Sequence, residues 1–231
     1  MVDIWWVAGL ESCLSGPLGP LFDSVENLVD IGAIRRNLVA DGRVSDSDSA
    51  KGRLLAAAAK LFREKGYAGT TVRDLAAEVG ILSGSIFHHF SNKEEILFGV
   101  MHEVVIAMEE ALKESLAKAE TTRDKIRALI TTELNFIHGE AGNATAVLIY
   151  EWRVLSREQQ QKILKGRENY FKYWHETLQQ AKADGLTVIE PEYLRQLLHG
   201  ALAWTTYWYK SDGKLTIEQL SDRALTLVIK D

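Results

Sequence analysis

After position 20 a single proline, Pro191, interrupts this 231-residue chain. Proline is the residue that most strongly breaks helices, so long helices can run through almost all of the sequence from Ser49 onward. The predicted fold class is all-α. Apolar residues make up 46% of the chain, enough to build a real core at this length, which excludes disorder or a collagen-like repeat as a whole-chain description. Val188 and Ile189 give the one strand-like hint, too short for a sheet, and no repeat of fixed period points to a solenoid.

Helix punctuation divides the chain. Residues 1–48 contain Pro17, Pro20, their neighbouring glycines and the polar run Ser45 to Ser49, and read as an N-terminal extension expected to be poorly ordered or partly helical. Val25, Leu28, Val29, Ile31 and Ile34 allow a short amphipathic helix between Leu21 and Leu38. Ser49 caps a helix over 50–65 with Leu54, Leu55, Ala58, Leu61 and Phe62 on one face and Gly66 as its stop. A short helix from Thr70 or Thr71 to Gly80 follows, then a shorter one over 83–90. Ser91 to Glu94 has the spacing of a capping box and opens a long helix; Ser156 to Gln159 and Thr216 to Gln219 repeat that signal. Further helices are predicted at about 122–138, 143–155, 157–183, 191–210 and 216–230. The expected division is extension 1–48, a helix-turn-helix domain over 49–97, and a larger helical domain over 98–231.

The net charge of −5 argues against a nucleic-acid partner, but the sum hides an asymmetry. Residues 50–98 carry seven basic and five acidic side chains, the one positive segment. The single cysteine, Cys13, cannot form an internal disulfide, and the opening residues lack the basic cluster and apolar run of a signal peptide, so a cytoplasmic protein without a membrane segment is expected. His102, His138, His175 and His199 are scattered, and no metal site or catalytic motif is predicted.

The positive segment has the form of a helix-turn-helix: residues 71–80, then Ile81-Leu82, then residues 83–90. Leu75, Ala76, Val79, Ile86 and Phe90 can hold the pair together, leaving the outer faces free for DNA. Leu61-Phe62-Arg63-Glu64-Lys65-Gly66-Tyr67, Thr70-Thr71-Val72-Arg73-Asp74-Leu75-Ala76 and Gly84 to Glu94 follow, in order and spacing, the signature of the TetR family of bacterial transcriptional regulators, which this sequence therefore resembles. The resemblance implies a three-helix N-terminal domain that binds a palindromic operator, and a larger domain that binds an effector and forms a homodimer.

Site residues follow from these readings. Thr70 and Thr71, at a helix N-terminus, are placed to hold a phosphate, and Arg73 to reach a guanine edge or a phosphate. Ser83, Gly84 and Ser85 begin the recognition helix, with His89 in the same segment; His88 and Lys93 match the family's phosphate-contacting positions. Phe87 stands where the family usually has tyrosine, which favours a thymine-methyl or sugar contact. Leu82 stands where the family commonly has a serine or threonine cap, so Ser83 is expected to cap instead.

Aromatic residues are dense from Phe136 to Tyr209. An effector pocket needs an apolar cavity with a few convergent polar groups, and the candidates are Tyr150, Trp152, Arg153, Tyr170, Trp174, His175, His199 and Trp204. The resemblance implies a dimer interface on the last two helices, with Leu202, Trp208, Leu220, Ala224, Leu227 and Val228. The stretches Tyr150 to Ser156 and Ala203 to Gly213 look like the members of the family that respond to acyl-CoA thioesters, and no other cofactor is implied. The expected function is a repressor released by a small apolar or acyl-CoA-type effector; the alternative is a helical small-molecule carrier or enzyme with a vestigial helix-turn-helix.

Overall fold

The computed structural model describes residues 30–229. They form eleven α-helices: α1 (Ile31–Ala40), α2 (Ala50–Gly69), α3 (Val72–Val79), α4 (Ser83–Ile86), α5 (Lys93–Lys118), α6 (Thr122–His138), α7 (Gly142–Tyr150), α8 (Arg157–Gly166), α9 (Glu168–Ala183), α10 (Pro191–Trp204) and α11 (Ile217–Leu225). No strand occurs among the described residues, and no helix there is long and apolar enough to cross a membrane.

The 26-residue α5 organises the rest. Its apolar positions recur on all sides, with Ile96, Leu97, Val100, Met101, Val104, Val105, Met108 and Leu112 buried, so it packs against α1, α2, α6, α7, α8 and α9. Helices α2, α3 and α4 form a head on its N-terminal half, held by Leu54, Phe62, Leu75, Ile86 and Phe90. Helix α6 is the axis of the larger domain and touches α5, α7, α9, α10 and α11.

Start signals hold with small shifts of register. Asn92 rather than Ser91 caps α5, accepting from the Glu95 N–H at 2.9 Å, while the Glu95 carboxylate accepts from the Ser91 N–H at 2.7 Å. Ser156 and Thr216 cap as expected, and Thr71-Asp74 and Thr121-Asp124 form two further boxes with aspartate as the reciprocal acceptor. Residues 157–183 are two helices rather than one, broken at Gly166 and Arg167, and the last two predicted helices end early, at Trp204 and Leu225.

The described part of the extension is helical and docked on the body. Residues 31–40 form a helix that lies on α5, with Ile34, Leu38 and Val44 buried in the common core. Asp30 caps it, Arg43 pairs with Glu110 at 2.8 Å, and the Ser45 N–H and hydroxyl both donate to Glu103 Oε1, at 3.0 and 2.6 Å. Val25, Leu28, Val29, Pro17 and Cys13 lie outside the described residues.

Candidate functional site

The head owes its shape to two sharp turns. Gly66 adopts φ 72°, a left-handed conformation that kinks the end of α2, and Gly80 closes α3 at φ 74°. Between them Thr70 is completely buried, and its hydroxyl faces the Gly66 and Leu61 carbonyls at 2.9 and 3.2 Å. Thr70 therefore holds the α2–α3 turn and is removed from the phosphate-binding set. Thr71 is exposed, but its hydroxyl donates to the Asp74 carboxylate at 2.7 Å and accepts from the Asp74 N–H at 3.1 Å. The Thr71 hydroxyl, and the Thr71 N–H that donates to the same carboxylate at 2.8 Å, keep the Asp74 carboxyl below its ordinary range, so the α3 N-terminus already carries its own anion.

Lys93 has a structural task as well. Its ammonium donates to the carbonyls of Tyr67 and Thr70 at 2.8 and 2.7 Å and sits 4.0 Å from the centre of the Tyr67 ring, pinning the same turn to α5. Lys60 pairs with Glu78, and Arg63 donates to Asn143. Arg73, on the outer face of α3, makes no hydrogen bond or ion pair among the described residues.

The second helix of the motif is a single turn, with residues 87–89 continuing as a tight turn rather than as helix. Ile86 and Phe90 face inward. Gly84, Phe87, His88 and His89 are exposed, while Ser83 and Ser85 are half-buried. Leu82 occupies the N-cap position and makes no side-chain capping bond, so Ser83 is the first helical residue and not the cap. A Cβ built at Gly84 meets nothing within 4 Å, so the packing of the chain itself does not require glycine there.

Three hydrogen bonds join head and larger domain: Arg63 Nη1 to Asn143 Oδ1 at 2.9 Å, the Tyr67 N–H to Glu151 Oε1 at 3.1 Å, and the Ser156 N–H to Glu94 Oε1 at 2.8 Å. Beside them lies a cleft of about 330 Å³, with Phe62, Gly66, Val147, Tyr150, Glu151 and Tyr207 in its walls.

Of the eight candidate effector residues, the structure brings Tyr170, Trp174 and His199 together inside the larger domain. Tyr170 and Trp174 are buried; the Tyr170 hydroxyl donates to the Glu133 carboxylate and lies 3.4 Å from His199 Nε2. The rings of Trp174 and His199 meet edge to face at 4.7 Å. Burial lowers the His199 pKa, and burial with the adjacent Glu133 raises that of Tyr170 well above the phenol range. Glu133 was not foreseen. Its signal is an acid inside the apolar stripe Leu129, Ile130, Leu134, Ile137 of α6.

The other five candidates are elsewhere. Tyr150 lines the cleft, Trp152 and Arg153 sit in a 3₁₀ turn after α7, His175 is exposed 3.6 Å from Glu192, and Trp204 is exposed against Tyr207.

The assigned dimer residues also divide. Leu202 is buried on the inner side of α10, and Leu220, Ala224 and Val228 are buried because the last helix and the turn after it are covered within the chain, mainly by α6. Trp208 and Leu227 are exposed. Helix α10 carries a second stripe, Tyr193, Leu197, Gly200, Ala201 and Trp204, that faces outward while Leu194, Leu198 and Leu202 face in.

Residues 54–100 match the family described as bacterial regulatory proteins, tetR family, and residues 119–231 match the tetracyclin repressor-like C-terminal domain. The HTH-type transcriptional repressor KstR2 of Mycolicibacterium smegmatis is 31% identical over 192 residues, 80% of this chain and 91% of that protein. Among solved structures, one described as the superantigen pfit is 44% identical, covers 87% of this chain and 100% of its own, and has a TM-score of 0.73. AibR in complex with isovaleryl coenzyme A and operator DNA shares the fold, with a TM-score of 0.71 at 24% identity over 78% of this chain and 98% of its own.

Proposed function

The chain belongs to the TetR family of bacterial transcriptional regulators, and from that premise we propose that it is a dimeric repressor released from a palindromic operator by an acyl-CoA-type effector. The observation that carries the DNA half of this reading is the outer face of α3 and α4. There Arg73 is unpaired among the described residues, and Gly84 leaves room for a duplex backbone that the chain's own packing does not fill. The outward stripe of α10 supports the dimer, because Gly200 and Ala201 let a second copy approach closely between the larger flanking residues. A dimer would place two recognition segments about 34–36 Å apart, one turn of the double helix.

The effector half rests on the cluster of Glu133, Tyr170, Trp174 and His199, which puts polar groups inside an aromatic interior, and on the two stretches that resemble acyl-CoA responders. The ligand acts only by binding one arrangement of head and body better than the other. Tyr67 is where the two meet: its carbonyl accepts from Lys93 in the head, and its N–H donates to Glu151 in the body. Glu151→Gln is expected to leave effector-free operator affinity within about twofold while weakening effector-driven release by about 0.5–2 kcal/mol of coupling. Titrating effector into preformed complex and comparing the midpoints measures it.

Fluorescence anisotropy with the DNA flanking its own gene tests the whole reading. Binding as two chains per site, reversed by acyl-CoA and not by free coenzyme A, is the expected result; no binding to any flanking duplex would sink it. Arg73→Ala is expected to cost about 1–3 kcal/mol of operator affinity and to relax preference at one base pair. An equal loss on every sequence would make Arg73 a phosphate contact. A second reading, favoured by the 44% identity to the protein described as a superantigen, gives this chain that activity as well. A T-cell proliferation assay on the same preparation tests this second reading independently of DNA binding.

A further inference from the structure

Leu82 is 80% exposed, and it stands at the one position of α4 where a side-chain oxygen would normally cap the helix. Phe87, at the other end of that single turn, is 55% exposed. Neither belongs to the core or packs against it; Ile86 and Phe90 hold the helix down instead. Their neighbours in sequence are the polar residues Ser83, Ser85, His88 and His89, and of the head's lysines Lys60 and Lys93 are already engaged by Glu78 and by backbone carbonyls. Two large apolar side chains thus project from the element that faces DNA, where charge is scarce.

We propose that Leu82 and Phe87 are specificity-determining residues that read thymine 5-methyl groups in the operator, a step that rests on the operator-binding reading above. The thymine methyl is the apolar group that the major groove displays, and it distinguishes a T·A pair from the other three by packing rather than by hydrogen bonding. Removing one exposed methyl and one exposed side chain from water together yields affinity at that pair alone. Leu82 gives up the cap bond that serine would make, and in return supplies a contact that serine cannot. The two residues flank the single turn of α4, one at each end, so they are expected to meet different base pairs of the same half-site.

The test replaces single thymines by deoxyuridine, which deletes only the methyl group, in a duplex selected by the full-length protein from randomised DNA. Wild type is expected to lose roughly 3–10-fold in affinity at each of two positions per half-site, the scale of one buried methyl. In Leu82→Ser one of these penalties disappears, and in Phe87→Ala the other. Leu82→Ser restores a cap on an exposed residue, so folding is not at stake, and a melting curve checks it. Uniform indifference of the wild-type complex to uracil overturns the proposal, as does a penalty that persists unchanged in both variants. Failure to select any duplex overturns the operator-binding reading, and this proposal with it.

Discussion

A chain cut to begin at Ser45 is expected to melt roughly 5–15 °C below one that begins at Asp30. The difference between the two is α1 and the turn after it. Ile34 and Leu38 are 2% and 1% exposed, and Val44 is buried beside them against α5. Each such side chain contributes about 1.5–3 kcal/mol when removed from water. Cutting the segment away also uncovers the side of α5 on which these three residues pack, so apolar surface of the body is returned to water. The ion pair of Arg43 with Glu110 adds little, because both side chains are partly solvated. Starting the longer chain at Asp30 keeps its cap on α1 and isolates the helix from everything before it. Coincident melting curves would show that the helix contributes nothing to the stability of the body.

Leu197→Asp is expected to convert the proposed dimer to a monomer and to lower operator affinity by roughly 10²–10⁴-fold. Two linked half-sites gain that much from effective concentration, and a single head loses it. Leu197 is 64% exposed in the chain, so the substitution leaves the fold of one copy intact, whereas a charge facing a charge across the interface excludes pairing. Leu220→Asp is the control. That residue is buried against α6, so its variant is expected to be insoluble or unfolded rather than monomeric. Sedimentation velocity and a melt of both proteins decide the matter. A Leu197→Asp protein that sediments as the wild-type dimer would move the interface away from α10.

The helices and their order were legible because their signals are local. A cap reaches three residues, an apolar stripe repeats every three or four, and both are written in the chain without reference to what lies opposite. The same holds for the head: the run from Leu61 to Glu94 specifies two sharp turns and an inward face wherever it folds. Helix α6 came out at its predicted bounds because Thr121 and Gly139 stand at its two ends. The two extra boxes at Thr71 and Thr121 were equally readable, with aspartate in place of glutamate.

What the tertiary structure alone decided is which neighbour each face meets. A stripe such as Leu220, Ala224, Val228 says that one side of α11 is apolar; that α6 covers it, and not a second copy of the chain, depends on residues about a hundred positions away. Thr70 and Lys93 look like a hydroxyl and a cation free to meet phosphate, yet the kink at Gly66 turns carbonyls toward both and engages them. Glu133 reads as a surface acid until Tyr170 is brought onto it from α9. The extension read as either a poorly ordered tail or a short helix because nothing within it says that α5 has a vacant side for Ile34 and Leu38. Hydrogen bonds within a turn are settled by adjacent residues; burial is settled by whatever the rest of the chain places on top.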